Sequence, residues 1–252
     1  MSAIFCVNFL RSYSAKAPET IRTVVPGLSI WKNYLSFEDQ DQLLKNLSKF
    51  REEILVHSQH AQLMKGRTYL SKQHNLGSSE DYRLVHVTKQ TFQYFEQYGG
   101  EGHSLTYAIG NKNIPEFIKV DLISRILQLP EMEKYKDVTL EWNFTFNTYS
   151  VSSRNQLSGF PRHKDIPENG EVTFIYSLGT PSEFEIEDPE QCKIYRYPLL
   201  ANSLLKMSDK ARWDFLHAVV PQKIQGSPVV LRKDAEHAEH RYSAVLGFTV
   251  KK

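Results

Sequence analysis

Phe160-Pro161-Arg162-His163-Lys164-Asp165 is the stretch whose reading decides the fold, taken together with Trp213-Asp214-Phe215-Leu216-His217 and Arg241-Tyr242-Ser243. His163 and Asp165 stand two residues apart. If the segment is extended, their side chains leave one face and can converge on a point. A metal at that point needs a third ligand. His217 is the candidate, because the apolar run around it, Phe215-Leu216-His217-Ala218-Val219-Val220, reads as a buried strand. Two imidazoles and a carboxylate on one face of a metal, with the other positions open, form the donor set of non-haem Fe(II) oxygenases.

Such a site places a further demand on the chain, because its usual co-substrate, 2-oxoglutarate, carries a second carboxylate remote from the metal. A buried carboxylate calls for a charged and preferably forked partner, and arginine supplies one. Arg241 opens the last strand-like run, which continues to Val250. Alternation puts Arg241 and Ser243 on one face and Tyr242, Ala244, Leu246, Phe248 and Val250 on the other.

In a chain with nine histidines a lone His-x-Asp says little. The weight lies in three fragments that occur in order, each in a plausible strand. From Val138 to Tyr149, Leu140, Trp142, Phe144 and Phe146 share one face, while Glu141, Asn143, Thr145, Asn147 and Tyr149 share the other. A bulky apolar face backed by an uncharged polar one fits a sheet covered outside by helices and lined inside by a pocket. Short strand-like runs follow at 172–179, 183–187, 193–197, 203–207 and 215–219, separated by Gly, Pro, Asn and Asp. Two helices precede them. One is capped by Ser36 and carries Leu43, Leu44, Leu47 and Phe50; the other starts at Pro115, carries Ile118, Leu122, Ile123, Ile126 and Leu127, and stops near Pro130. The expected class is α+β, mainly β: a double-stranded β-helix, or jelly roll, with supporting helices.

The order His-x-Asp, aromatic run with His, then Arg-x-Ser resembles the 2-oxoglutarate and Fe(II)-dependent dioxygenases, and the intervening text is similar to their AlkB branch. Matching pieces are Asn147-Thr148-Tyr149, the run from Tyr176 to Phe184, and His217-Ala218-Val219-Val220-Pro221. The likeness runs from about Asn143 to Val250, with a weaker echo in Val25-Pro26-Gly27-Leu28. It implies that His163, Asp165 and His217 bind Fe(II), that Asn147, Tyr149, Arg241 and Ser243 hold 2-oxoglutarate, and that O2 is consumed. AlkB-type chains carry a second arginine six positions after the first, whereas this chain has Gly247 there. The implied reaction is hydroxylation or oxidative demethylation, with N-alkylated nucleic acid as substrate. Arg67, Tyr69 and Tyr82 fall where a substrate lid would lie, and basic side chains beside aromatics suit a phosphate and a stacked base. The departure at Gly247 leaves two alternatives open: a protein or small-molecule hydroxylase of the same fold, and a catalytically idle cupin-like binding protein.

Composition fits these readings without choosing among them. A net charge of +2 permits a nucleic-acid partner but does not argue for one. Two cysteines, Cys6 and Cys192, cannot build a disulfide framework, and no apolar run reaches the ~18 residues of a membrane span. Residues 1–18 hold Arg11 and Lys16 and no acid, which reads as a mitochondrial presequence or a disordered arm. In the latter case the protein is expected in the cytoplasm or nucleus. Residues 19–252 read as one dioxygenase domain, with the helical buttress and lid over 19–135 and the jelly roll over 136–252. Glu236-His237-Ala238-Glu239-His240 is rich in metal-ligand types but reads as a charged turn at the pocket rim.

Overall fold

The computed structural model describes residues 18–57, 62–64, 67–69, 82–84, 104–109, 114–151, 155–165, 167–226, 229–231, 233 and 239–251. For 52–57 and the four short segments between 62 and 109 it describes the backbone alone. The N-terminal arm of the sequence reading, and Glu236 and His237 of the acidic, histidine-rich run, lie outside the described residues.

Strands β1 (Glu19–Ile21) and β2 (Leu28–Lys32) precede helix α1 (Phe37–His57) and short strands β3 (Gln62–Met64), β4 (Arg67–Tyr69), β5 (Tyr82–Leu84) and β6 (Ser104–Ile109). Helix α2 joins an α turn (Glu116–Ile118), a π segment (Lys119–Ile123) and a second α turn (Ser124–Ile126). The remainder is β7 (Leu140–Ser150), β8 (Gln156–Leu157), β9 (Phe160–His163), β10 (Val172–Gly179), β11 (Ser182–Asp188), β12 (Lys193–Leu199), β13 (Ser203–Met207), helix α3 (Asp209–Trp213), β14 (Leu216–Val220), β15 (Gln222–Lys223) and β16 (Glu239–Val250).

The larger sheet has the order β1-β2-β13-β10-β16-β7-β6-β5, and the smaller β12-β11-β14-β9. The four-strand blocks β13-β10-β16-β7 and β12-β11-β14-β9 are the two walls of a jelly roll. The chain passes from one wall to the other after β7, β9, β10, β12, β13 and β14. Among the described residues every strand pairing is antiparallel, and β16 is central, bonded to β10 along one edge and to β7 along the other.

Side-chain alternation explains this arrangement. Trp142, Phe144 and Phe146 of β7 and Tyr242, Ala244, Leu246 and Phe248 of β16 face outward into a core with Leu43, Leu47 and Phe50 of α1 and Ile118, Leu122 and Ile126 of α2. Phe144 and Phe146 are fully buried, and truncating either to alanine costs about 3–5 kcal/mol. A second core lies between the walls, built from Ile30, Ile175, Phe184, Ile186, Leu205 and Met207. Helix α1 starts where the sequence places it: the Asp39 amide donates to Ser36 Oγ at 3.1 Å, satisfying an otherwise free first-turn donor.

Several boundaries differ from the sequence reading. Helix α1 continues past Phe50 to His57, β7 begins at Leu140 with Val138 exposed, and β14 begins at Leu216. Leu127 is exposed, because the π segment and the helix end at Ile126 leave it outside the packed face. Glu239 and His240 belong to β16, not to a rim turn, and both are buried. Glu239 is ion-paired with Arg51 of α1 and accepts the Tyr242 hydroxyl at 2.8 Å. Its charge is thus committed to joining the helix to the sheet.

Gly247 is fixed by packing. A Cβ built there would stand 1.6 Å from the backbone oxygen of Asn169, which sits in the 3-10 turn Pro167–Asn169. That turn is bonded to β16 next door, with the Glu171 amide donating to the Phe248 carbonyl at 2.8 Å. Gly247→Ala is therefore expected to lower stability by at least about 2 kcal/mol, since two backbones must separate. A denaturant midpoint equal to that of the unsubstituted chain would show that the turn does not press on β16.

Candidate metal centre

His163 ends β9 and His217 is the second residue of β14. These strands are neighbours, and the two histidines are directly opposite each other in the ladder. Their rings lie 4.3 Å apart, centroid to centroid. Asp165 lies two residues beyond the end of β9, so strand alternation alone does not account for its approach. Asp165 Oδ1 lies 3.7 Å from His163 Nε2 and 3.9 Å from His217 Nε2. One ligand atom from each of the three residues lies within 4.8 Å of the others, and among the described residues this is the group that could hold a metal ion.

The three groups bear the marks of a site built for a cation. Asp165 Oδ2 is buried with no hydrogen-bond partner, a costly condition that a bound metal would relieve. Asp165 Oδ1 accepts from Asn169 Nδ2 at 3.3 Å. Burial followed by the facing His163 pushes the His217 imidazole down to about 3, leaving it in the neutral, ligating form. Burial opposes charge on Asp165 too, yet His217, His163 and Arg212 hold its carboxyl well below the usual carboxylate range. With His217 neutral, the guanidinium of Arg212 is the permanent charge in that set.

The cavity beside the triad is lined by Thr145, Asn147 and Tyr149 of β7, Ser243 and Val245 of β16, and Phe160 and Phe184, among others. Asn147, Tyr149 and Ser243, named from the sequence, are thus brought to one wall, with Ser243 opposite Asn147 in the ladder. Arg241 is set behind that wall. Its guanidinium lies 4.3 Å over the Tyr149 ring, and its Nε donates to Ser177 Oγ at 3.2 Å. The residue is completely buried, and both terminal nitrogens lack a hydrogen-bond partner. Arg67, Tyr69 and Tyr82 lie in β4 and β5, but their side chains are outside the described residues.

Sequence reading missed Asn169, Ser177 and Arg212. Ser177 was legible in principle as a polar residue within the apolar β10. Arg212 carried no signal, since a charged residue in a short polar helix is ordinarily exposed.

No family model matches the chain, and no curated protein matches it. Among solved structures, OsALKBH1 is similar over 90% of this chain and 100% of its own, with a TM-score of 0.50 and 14% identity. A prolyl-4-hydroxylase from Pseudomonas putida is similar over 89% of this chain and 93% of its own, with a TM-score of 0.44 and 10% identity. The first likeness agrees with the jelly roll seen here.

The lowered His217 gives a pH dependence of known sign. In the unfolded chain His217 takes up a proton near its ordinary value of about 6.5, and in the folded metal-free chain only near 3. Between these limits the unfolded state holds more protons, so stability falls as pH falls, by up to about 1.4 kcal/mol per pH unit. Asp165, depressed in the folded state, adds a further loss below the ordinary carboxylate value. Melting of the metal-free protein at pH 7 and pH 4.5 checks this. His217→Gln should lose less stability over that interval than the unsubstituted chain, and an equal loss would contradict a neutral buried His217.

Proposed function

We propose that the protein is a 2-oxoglutarate- and Fe(II)-dependent oxygenase of AlkB type, with His163, Asp165 and His217 holding the metal. The observation that carries the reading is the buried Arg241 guanidinium, whose two terminal nitrogens have no partner and which stacks on Tyr149 of the cavity wall, together with a triad whose Asp165 Oδ2 is equally unpartnered. A buried cation with spare parallel donors is matched by a carboxylate, and an unpaired buried anion beside two imidazoles is matched by a divalent metal. The keto acid that joins these two ends is 2-oxoglutarate.

When bound, Fe(II) with 2-oxoglutarate supplies the splitting of O2 between the keto acid, which leaves as succinate and CO2, and a substrate C–H bond, which becomes C–OH. The chain's own residues bind and orient. Arg241 and Ser177 fix the distal carboxylate, Tyr149 buttresses the guanidinium through its ring face, and Asn147 and Ser243 offer polar contacts along the wall between. Phe160 and Phe184 narrow the cavity and exclude water from the metal side. The fold likeness to the AlkB homologue OsALKBH1 supports the same reading. An N-alkylated nucleobase, unpaired or flipped out, is the substrate that the AlkB resemblance favours.

Succinate release in the presence of Fe(II), ascorbate and 2-oxoglutarate tests the reaction, and His163→Ala should abolish it. Arg241→Ala should raise the KM for 2-oxoglutarate roughly tenfold or more, the worth of one charge-assisted pair. An unchanged KM removes Arg241 from the site. Single-stranded oligonucleotide binding should weaken as salt rises, and no binding at low salt would remove the nucleic-acid substrate.

A further inference from the structure

Where the family pattern places a second guanidinium, Gly247 stands against the carbonyl of Asn169 with no room for a side chain. The Asn169 carbonyl occupies that space, and a different arginine binds the backbone at Asp165 and at Gly170 on either side of it. Arg212 of α3 donates from Nε to the Gly170 carbonyl at 3.0 Å and from a terminal nitrogen to the Asp165 carbonyl at 3.1 Å. One planar group thus bridges both ends of the segment that carries the acidic ligand.

Arg212 is 1% exposed, so its charge has been withdrawn from water and needs compensation. Backbone carbonyls offer dipoles, and the hydrogen bond to the Asp165 carbonyl sets the guanidinium beside a residue whose carboxylate attracts it. Its helix is placed from far away in the sequence. The turn before β2 supplies the Pro26 carbonyl to the Ala211 amide at 3.1 Å and the Gly27 carbonyl to the Ser208 amide at 2.9 Å. A Cβ at Gly27, where φ is +84°, would stand 1.9 Å from the Ser208 carbonyl oxygen, so this contact too is backbone against backbone. The Arg212 guanidinium also lies 4.3 Å over the Trp213 ring, which fixes its plane. The Val25-Pro26-Gly27-Leu28 echo seen in the sequence thereby gains a purpose: it seats the helix that seats Arg212.

We propose that Arg212 is a positioning residue for the metal centre: by binding the carbonyls of Asp165 and Gly170 it keeps the Asp165 carboxylate aimed at His163 and His217, the ordering task that the second arginine of the family pattern would otherwise perform. This rests on the metal-site reading above. It also removes the reason for regarding Gly247 as a mark of an idle site, since the cation is supplied from another element.

Arg212→Gln keeps a donor for a backbone carbonyl and removes the charge, whereas Arg212→Lys keeps the charge. Mn(II) affinity of the full chain, measured by calorimetry, should fall about 10- to 100-fold in Arg212→Gln and recover most of that loss in Arg212→Lys. Equal affinity in the unsubstituted chain and Arg212→Gln, or equal losses in the two variants, would overturn the proposal. A second comparison needs no metal: Arg212→Gln/Asp165→Asn should melt above Arg212→Gln alone, because an uncompensated buried anion has been removed. If the double variant melts no higher, or if neither folds, Arg212 serves the backbone only and the proposal fails. Absence of Mn(II) binding in the unsubstituted chain would instead overturn the metal-site reading, and the metal-free pair would still decide whether Arg212 is coupled to Asp165.

Discussion

The site depends on the pairing of β14 with β9, which sets His217 opposite His163 and brings their rings within 4.3 Å. Neither strand could hold that register alone, because β9 is four residues long. Its neighbours supply the constraint. Arg162, next to His163, reaches Glu185 and Glu187 of β11, and the same strand pairs directly with β14, where Ile186 is opposite His217. The outer face of the smaller sheet is thus tied by charge, while its inner face is packed by Phe184, Ile186 and Val219. The third member of the triad, Asp165, is held through its backbone carbonyl by Arg212 of α3.

Three buried arginines show how this fold separates structure from chemistry. Arg51 meets the carboxylate of Glu239, so its charge is neutralised within the protein. Arg212 donates to two backbone carbonyls, one of them that of Asp165. Arg241 has one hydroxyl and the face of a tyrosine, and two nitrogens remain without a partner. Burying a guanidinium in that condition costs several kcal/mol, which the fold tolerates only if something else completes it. In the proposed reading, the unfilled donors of Arg241 and the unfilled acceptor of Asp165 are the two ends of one binding site.

Much of this was legible in the sequence because it is written in short periods. The alternation in β7 and β16 separates the helix-facing side from the cavity-facing side, and it groups Asn147 with Tyr149, both of which line the cavity together with Ser243. The Ser36 cap and the Leu43–Leu47–Phe50 stripe place α1 for the same reason. What could not be read depends on partners distant in the chain. Burial of Arg212 follows from a turn 185 residues earlier than α3's middle only through tertiary packing, and nothing in Lys210-Ala211-Arg212-Trp213 announces it. Glu239 looks like part of a polar rim until Arg51 is placed beside it. Strand alternation is expected to bring Asp165 to His163, but the strand stops at His163, two residues short of Asp165.

A crystal structure grown without oxygen in the presence of Fe(II) and 2-oxoglutarate would address the centre of this account directly. The expected map has iron bound by His163, Asp165 and His217, with the distal carboxylate of the keto acid on the two terminal nitrogens of Arg241. Iron bound elsewhere, or a guanidinium still stacked on Tyr149 with no carboxylate facing it, would contradict the assignment of both ends of the site.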